Sequence, residues 1–374
     1  MKERIKILVF SLTMIMLMGV GNAWAEIKIG LMCPLTGSWA SEGQDMKDVV
    51  ELMAAEINEA GGINGEQVTI LVEDDGGDPK TAVSAANRLA TRDITAVIGT
   101  YGSSITEATQ NIYDDYQIIQ VANGATSVRL TQKGLEYFFR TCPRNDEQGK
   151  VAAETIDSMG FDKVAILHDS TSYARGLADE ARGLLEDENK DIVFFGALTP
   201  GERDYSTILS KLRNAGPEIV FFTGYYPEAG LLLKQKSEMG WDVPFLGGDA
   251  TNNPDLVSIS GRSAAEGFYF LSPPVPQDLD TPQAKDFLTS FNEKYGSNPG
   301  SIYAVLAGDA FLAIAEAMNH TDSTESDVVA DYMHGELSVA GLTGVISFDE
   351  QGDRAGELYR LYQVDAEGNF VMQE

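Results

Sequence analysis

The chain is 374 residues long, with 57 acidic against 27 basic side chains and a formal charge of −30. So acidic a surface repels phosphate backbones and anionic headgroups, which argues against nucleic acid as a partner and against docking on membranes. Two cysteines (Cys33, Cys142) and three histidines (His168, His320, His334), none paired at ligand spacing, argue against a structural or catalytic metal.

The chain opens with Lys2, Arg4 and Lys6, followed by an almost unbroken apolar run over residues 7–20 and the triplet Ala23-Trp24-Ala25. A positive start, a short apolar core and a small-x-small triplet read as a secretory signal peptide, residues 1–25. The alternative is an uncleaved anchor, which wants roughly 20 apolar residues. No cysteine closes the run, so nothing there supports lipid attachment. The expectation is a mature chain that starts near Glu26, works in the periplasm and inserts in no membrane after cleavage. Removing 25 of the 374 residues leaves 349, which at roughly 100–200 residues per domain implies two domains. No later apolar run is read as long enough to span a bilayer, so the mature protein is expected to be soluble.

From Glu26 onward, short apolar runs alternate with amphipathic stretches. Residues 27–31 predict a strand. Met46, Val49, Val50, Met53, Ala54 and Ile57 share one helical face, and Gly61-Gly62 stops that helix. A strand at 68–72, a helix at 80–91, a strand at 96–99, a helix from Ser103 and strands at 118–121 and 137–141 complete a first α/β unit. After Pro143 the rhythm restarts, with helices at 148–159, 174–186, 205–214 and 227–239. Strands at 164–167, 192–195, 219–222, 244–246 and 267–271 alternate with them. Helices at 284–294, 303–318 and 325–334 come next, then 344–348 and a hairpin, 358–364 with 370–372. Such alternation builds parallel sheets with helices on both faces.

In open α/β sheets the ligand crevice lies beyond the carboxyl ends of the strands. The first unit offers hydroxyls, glycines and a helix start there: Trp39 to Gly43, Thr100-Tyr101-Gly102-Ser103-Ser104, and Gly124-Ala125-Thr126. The second offers aromatic rings and carboxylates: His168 to Tyr173, Tyr225-Tyr226, and Gly248-Asp249. Ser103 and Ser104 at a helix N-terminus, with Gly124 and the Thr126 hydroxyl, suit a small carboxylate. Asp249 with the Tyr225 hydroxyl suits an ammonium. A carboxylate site opposite an ammonium site is what an α-amino acid needs. Each piece has a plainer alternative: Ser103 as a helix N-cap, Asp249 as the cap of a following helix, the tyrosines as core aromatics. His168-Asp169 lacks a Gly-x-Ser-x-Gly elbow, which counts against a hydrolase. The glycines at 61–65 lack dinucleotide-binding spacing. No cofactor is called for, and the chain reads as a binding protein rather than an enzyme.

Several blocks resemble the branched-chain amino-acid-binding proteins of ABC transporters. They include Pro34-Leu35-Thr36-Gly37, Asn58 to Gly65, Asp74-Asp75 with Asp78-Pro79, and Phe139-Arg140-Thr141. Gly201 to Ser206, Gly224 to Glu228 and Ser347-Phe348-Asp349 extend the likeness to most of the chain. The resemblance implies the type I periplasmic binding protein fold: two doubly wound α/β lobes, three hinge crossings and a ligand cleft. It implies a first lobe of 26–142 with 272–345 and a second of 143–271 with 346–374. It implies Ser103, Gly124 and Thr126 on the ligand carboxylate, Tyr225 and Asp249 on the ammonium, and Tyr173 over the cleft. The expected partners are a small-molecule amino acid and an inner-membrane ABC permease; the rival is a sensor that presents its ligand to a membrane receptor.

Two positions depart from the family pattern. A disulfide of some members would need cysteines at Gly77 and Gly102. Glu42 stands where the family comparison expects an aromatic or aliphatic residue on the ligand side chain. It either points to solvent near a helix N-terminus or faces the cleft, where Trp39 or Tyr173 would supply an apolar wall. Cys33 and Cys142 follow the first and fifth strands, three spacings of ~4.8 Å apart in a 2-1-3-4-5 sheet, so they are not expected to pair.

Overall fold

The computed structural model describes residues 26–373; the leader expected over 1–25 lies outside the described residues. The first sheet runs through β1 (Glu26–Cys33), β2 (Gln67–Asp74), β3 (Ala96–Ile98), β4 (Ile119–Ala122) and β5 (Phe138–Arg140). Its spatial order is β2-β1-β3-β4-β5, every pair parallel. Parallel strands need crossovers, supplied by α1 (Ala40–Glu59), α2 (Pro79–Ala90) and α3 (Ser103–Asp115). The start of α2 is fixed by Asp78, whose carboxylate accepts the Lys80 and Thr81 amides at 3.1 and 2.9 Å, with Pro79 at the first helical position.

The second sheet takes β6 (Lys163–His168), β7 (Asp191–Ala197), β8 (Ile219–Thr223), β9 (Phe245–Gly247) and β10 (Tyr269–Ser272). They lie parallel in the order β10-β9-β8-β6-β7, and the hairpin β13 (Arg360–Val364) and β14 (Phe370–Met372) adds antiparallel beside β10. Around them lie α4 (Asn145–Ser158), α5 (Ser172–Asp187), α6 (Ser206–Ala215), α7 (Tyr226–Glu238) and the short α8 (Asp255–Ser260) and α9 (Arg262–Ala265). Central strands covered on both faces are apolar throughout, and β8 is buried at all five positions.

The remaining helices are α10 (Pro282–Tyr295), α11 (Ile302–Thr321) and α12 (Ser326–Gly335). α11 lies against α1 beside the first sheet, and a Cβ on Gly308 would come within 3.0 Å of Val49 Cγ1 and Leu342 Cδ1. At 20 residues and mean hydropathy 1.3 in its most apolar stretch, α11 does reach spanning length, against the expectation for the mature chain. Its apolar character has a different cause: it is a core helix, 83% buried over that stretch. The predicted strand at 344–348 also differs. It is β12 (Gly344–Ile346), paired with β11 (Val339–Gly341) in a two-stranded ribbon outside both sheets.

Where the chain passes between the sheets, buried ion pairs fix it. Arg354 reaches Asp309 at 3.1 Å and the Thr141 carbonyl at 3.2 Å, and Arg140 pairs with Asp353. Cys33 and Cys142 are buried free thiols.

Candidate functional site

The carboxyl ends of the two sheets face each other, and side chains from both close the space between them. The Tyr226 hydroxyl donates to the Ser38 carbonyl at 3.0 Å and lies 3.0 Å from Ser41 Oγ. On another flank the Ser172 amide donates to Ser104 Oγ at 2.9 Å, and its hydroxyl donates to Glu107 at 2.7 Å. Arg129 adds a bond to Ser172 Oγ at 2.8 Å. Ser104 therefore acts across the cleft: its Oγ accepts the amide at the opposite helix start and keeps a hydroxyl proton to donate.

Ser103 opens α3 with its side chain fully buried. Its Oγ accepts the Ser127 amide at 3.1 Å, which leaves the hydroxyl proton free to donate. Thr126 is buried beside it, but its hydroxyl donates to Asn145 Oδ1 at 2.7 Å. The Asn145 orientation is set by its amide nitrogen, which donates to the Tyr173 carbonyl at 3.0 Å. Thr126 Oγ1 thus offers lone pairs, suited to an ammonium proton rather than to the carboxylate expected for it. The 124–127 loop is held from behind by Arg140, which donates to the Ala125 and Ser127 carbonyls at 3.0 and 2.8 Å. Gly124 sits so close to Tyr101 that a Cβ would come within 2.8 Å of its backbone oxygen and ring.

On the opposite wall, Asp249 follows β9 and is 1% exposed. It caps no helix: no capping bond forms in the short turn it begins, and α8 starts six residues later. Burial pushes its carboxyl above the usual carboxylate range, while Tyr303, Tyr173, Tyr359 and Gln148, whose polar ends face it, pull the other way. The Tyr359 hydroxyl donates to Oδ2 at 2.9 Å. The Tyr303 hydroxyl and both side-chain polar atoms of Gln148 have no hydrogen-bond partner in the protein, although all are buried. Tyr173, also buried, takes the Ala250 amide on its hydroxyl at 3.4 Å. Tyr225 is also buried: burial raises its phenol most, Asp169, Asp249 and Glu228 add to the shift, and Thr171 pulls the other way.

Between these walls the rings form one cluster. Trp39 stands 4.2 Å from Tyr225 and 5.5 Å from Tyr101, measured between ring centroids, and Tyr225 stands 5.3 Å from Tyr173. Tyr101 also meets Tyr303 at 5.5 Å. A cavity of about 300 Å³ lies behind Trp39 and Tyr225, bordered by Asp169, Thr171 and Glu228. Glu42 has no exposed surface, which removes the solvent-facing alternative. Its carboxylate takes the Ser301 hydroxyl at 2.6 Å and the Asn253 amide at 3.3 Å. His168 is spent locally, its Nδ1 accepting the Ser170 amide at 3.1 Å.

Of the expected residues, ring contacts join Trp39, Tyr173 and Tyr225, Thr126 reaches the Tyr173 backbone through Asn145, Gly124 packs on Tyr101 beside Trp39, and Tyr173 faces Asp249; Ser104 bonds across the cleft. Sequence reasoning missed Gln148, Tyr303 and Tyr359. They come from α4, the start of α11 and the segment before β13, none of which is the carboxyl end of a parallel strand. Tyr101 stood in the right loop without a pattern to single it out.

The sequence profile of the periplasmic binding protein family matches residues 26–369. A Leu/Ile/Val-binding protein homolog of Brucella abortus (strain 2308) is 34% identical over 358 residues, covering 94% of this chain and 95% of that protein. The fold superimposes on a leucine-binding protein of Thermotoga maritima with a TM-score of 0.86 at 25% identity, over 93% of this chain and 98% of the other. The isoleucine complex of a branched-chain amino acid substrate-binding protein from Streptococcus pneumoniae gives a TM-score of 0.85 at 27% identity, over 93% and 99%.

Proposed function

Because the chain belongs to the periplasmic binding protein family, we propose that it captures an α-amino acid between two lobes and delivers it to an inner-membrane ABC permease. The lobes are 26–142 with 272–345, and 143–271 with 346–374. This division is supported by the first five strands forming one sheet while β6–β10, β13 and β14 form the other. The protein works in the periplasm after loss of its leader, as a carrier and not an enzyme.

The observation that carries this reading is the state of Asp249. It is a buried carboxylate with no cation beside it, ringed by Tyr303 and Gln148 groups that find no partner within the protein. A buried charge is costly unless it is paired. An α-ammonium between Asp249 and Thr126 Oγ1 satisfies both, while the ligand carboxylate takes the Ser103 proton and the α3 N-terminus. Closure follows because the ligand touches both walls and so binds the closed arrangement better.

Calorimetry of the purified mature chain is expected to show binding of at least one free α-amino acid and none of its N-acetyl derivative. Asp249→Asn should weaken binding by about 30-fold or more, since a buried charge contact is worth at least ~2 kcal/mol. Its melting temperature without ligand should hold or rise, because an uncompensated buried carboxylate is gone. Unchanged affinity in Asp249→Asn would remove the ammonium assignment.

A further inference from the structure

Two carboxylates, not one, are sealed into this cleft. Asp249 follows β9 of the second sheet and Glu42 lies in the first turn of α1; burial raises the Tyr101 phenol most, with Glu42 and Asp249 both adding to the shift. Tyr101 is packed edge-on to Trp39, Tyr225 and Tyr303; Tyr303 faces Asp249, and Ser301, which bonds Glu42, takes the Tyr303 amide at 3.1 Å. The donors on Glu42 are neutral and come from both sides of the cleft: Ser301 caps α11, and Asn253 follows β9. The charge that acts on it most is Asp45, of the same sign, while the Ala304 backbone joins Ser301 and Asn253 in pulling the other way.

That arrangement is a poor end for a leucine or valine side chain. Branched alkyl groups offer nothing to a buried carboxylate, and they leave its desolvation uncompensated. A side chain that ends in an ammonium or guanidinium compensates it, and on the way runs along tyrosine and tryptophan faces that attract cations. We propose that Glu42 closes the side-chain end of the pocket and makes the site selective for basic amino acids over branched-chain ones. The proposal rests on the amino-acid reading above: Asp249 holds the α-ammonium, Glu42 the distal cation, and the ring cluster the alkyl stem between them. Burial, which pushes Glu42 up to about 8, accords with a carboxylate awaiting a cation. Asn253 and Ser301 then orient the carboxylate rather than neutralise it.

The test is calorimetry of the mature chain with arginine, lysine, leucine and isoleucine, on wild type, Glu42→Gln and Glu42→Leu. Wild type should bind arginine or lysine at least about tenfold more tightly than leucine. Glu42→Gln, which keeps the shape and can still bond Ser301, should lose about 30-fold or more of the basic ligand's affinity. Glu42→Leu should bring leucine to the top of the ranking. Because Glu42→Leu could fail to fold, the isosteric variant decides alone if its circular dichroism and melting temperature match wild type. Leucine binding tightest in wild type, with the ranking unmoved in Glu42→Gln, overturns the proposal and leaves Glu42 as a hydrogen bond between lobes. In that case loss of leucine binding in Asp249→Asn would show that the amino-acid reading survives. No binding of any amino acid by wild type overturns both.

Discussion

At the scale of single residues, the site is held by groups that never touch its interior. Arg140 is fully buried, pairs with Asp353, and donates to the Ala125 and Ser127 carbonyls and to Thr131 Oγ1 at 2.8 Å. The loop it grips carries Thr126 and, through Ser127, the Ser103 hydroxyl. Arg140→Met strips a buried ion pair of one partner, which costs about 3–5 kcal/mol of stability, and it frees the loop. Asp353 then keeps Arg144 at 2.8 Å as its one charged partner, and since Arg144 also holds Asp146, a second change, Asp353→Asn, should restore part of the stability in urea titration. It should restore none of the ligand affinity, because the two carbonyl anchors stay missing. Equal recovery of both would reduce Arg140 to a stability element. A rule about strand ends singled out Ser103 and Asp249 as candidates, whereas Arg140 entered only within the block Phe139-Arg140-Thr141, its role hidden because it depends on Asp353, far along the chain. Gln148, Tyr303 and Tyr359 were hidden for the same reason: a buried tyrosine facing a carboxylate and one filling a core have the same local pattern.

At the scale of elements, periodicity sufficed wherever an element was long and faced one environment. Strands β1, β6 and β8 and helices α1, α5 and α11 fall within a few residues of where apolar spacing puts them. It failed for α8 and α9, six and four residues long, because one turn of helix holds no repeat to read. The expectation that no later apolar run reaches spanning length failed at α11, whose apolar residues are set by contact with neighbours on every side. Gly308 is where that packing is tightest: a methyl group there would meet Met53 Sδ at 2.7 Å. Overpacking costs about 1–3 kcal/mol, while Ala gains roughly 1 kcal/mol over Gly inside a helix. Gly308→Ala should therefore lose no more than about 2 kcal/mol, and Gly308→Leu should lose about 3 kcal/mol or more. Thermal denaturation of both variants checks this; a tolerated leucine would mean that α1 and α11 can slide apart freely.

At the scale of the whole molecule, the doubly wound sheets were legible in the alternation of strands and helices, but the closed cleft was not. Closure joins Ser41 to Tyr226, Ser104 to Ser172 and Glu42 to Asn253, pairs of polar residues that no composition or spacing marks as partners. Its cost is a set of carboxyls taken out of water. Burial raises Glu42 to about 8, Asp75 and Glu147 to about 7 and Asp169 to about 6, and raises Asp249 as well. In the unfolded chain these groups titrate near ~4. Between about pH 4 and pH 8 the native state therefore holds more protons than the unfolded one, and stability falls as pH rises through that window. Asp74, Asp78 and Asp146 are lowered by the hydrogen bonds they accept, or by Arg144 beside Asp146, and act in the opposite sense, their contribution disappearing below about pH 4. The ligand-free protein should be most stable near pH 5, with a melting temperature at pH 8 lower by at least about 3 °C, as expected for a loss of ~2 kcal/mol or more in a chain of this length. The net charge of −30 pushes in the same direction through self-repulsion. A cation held at Asp249 removes the proton requirement there, so saturating ligand should flatten the slope. Calorimetric scans from pH 5 to 8, with and without ligand, test both parts. A melting temperature that rises toward pH 8 in the ligand-free chain would mean that these carboxyls are ionised and compensated without the ligand.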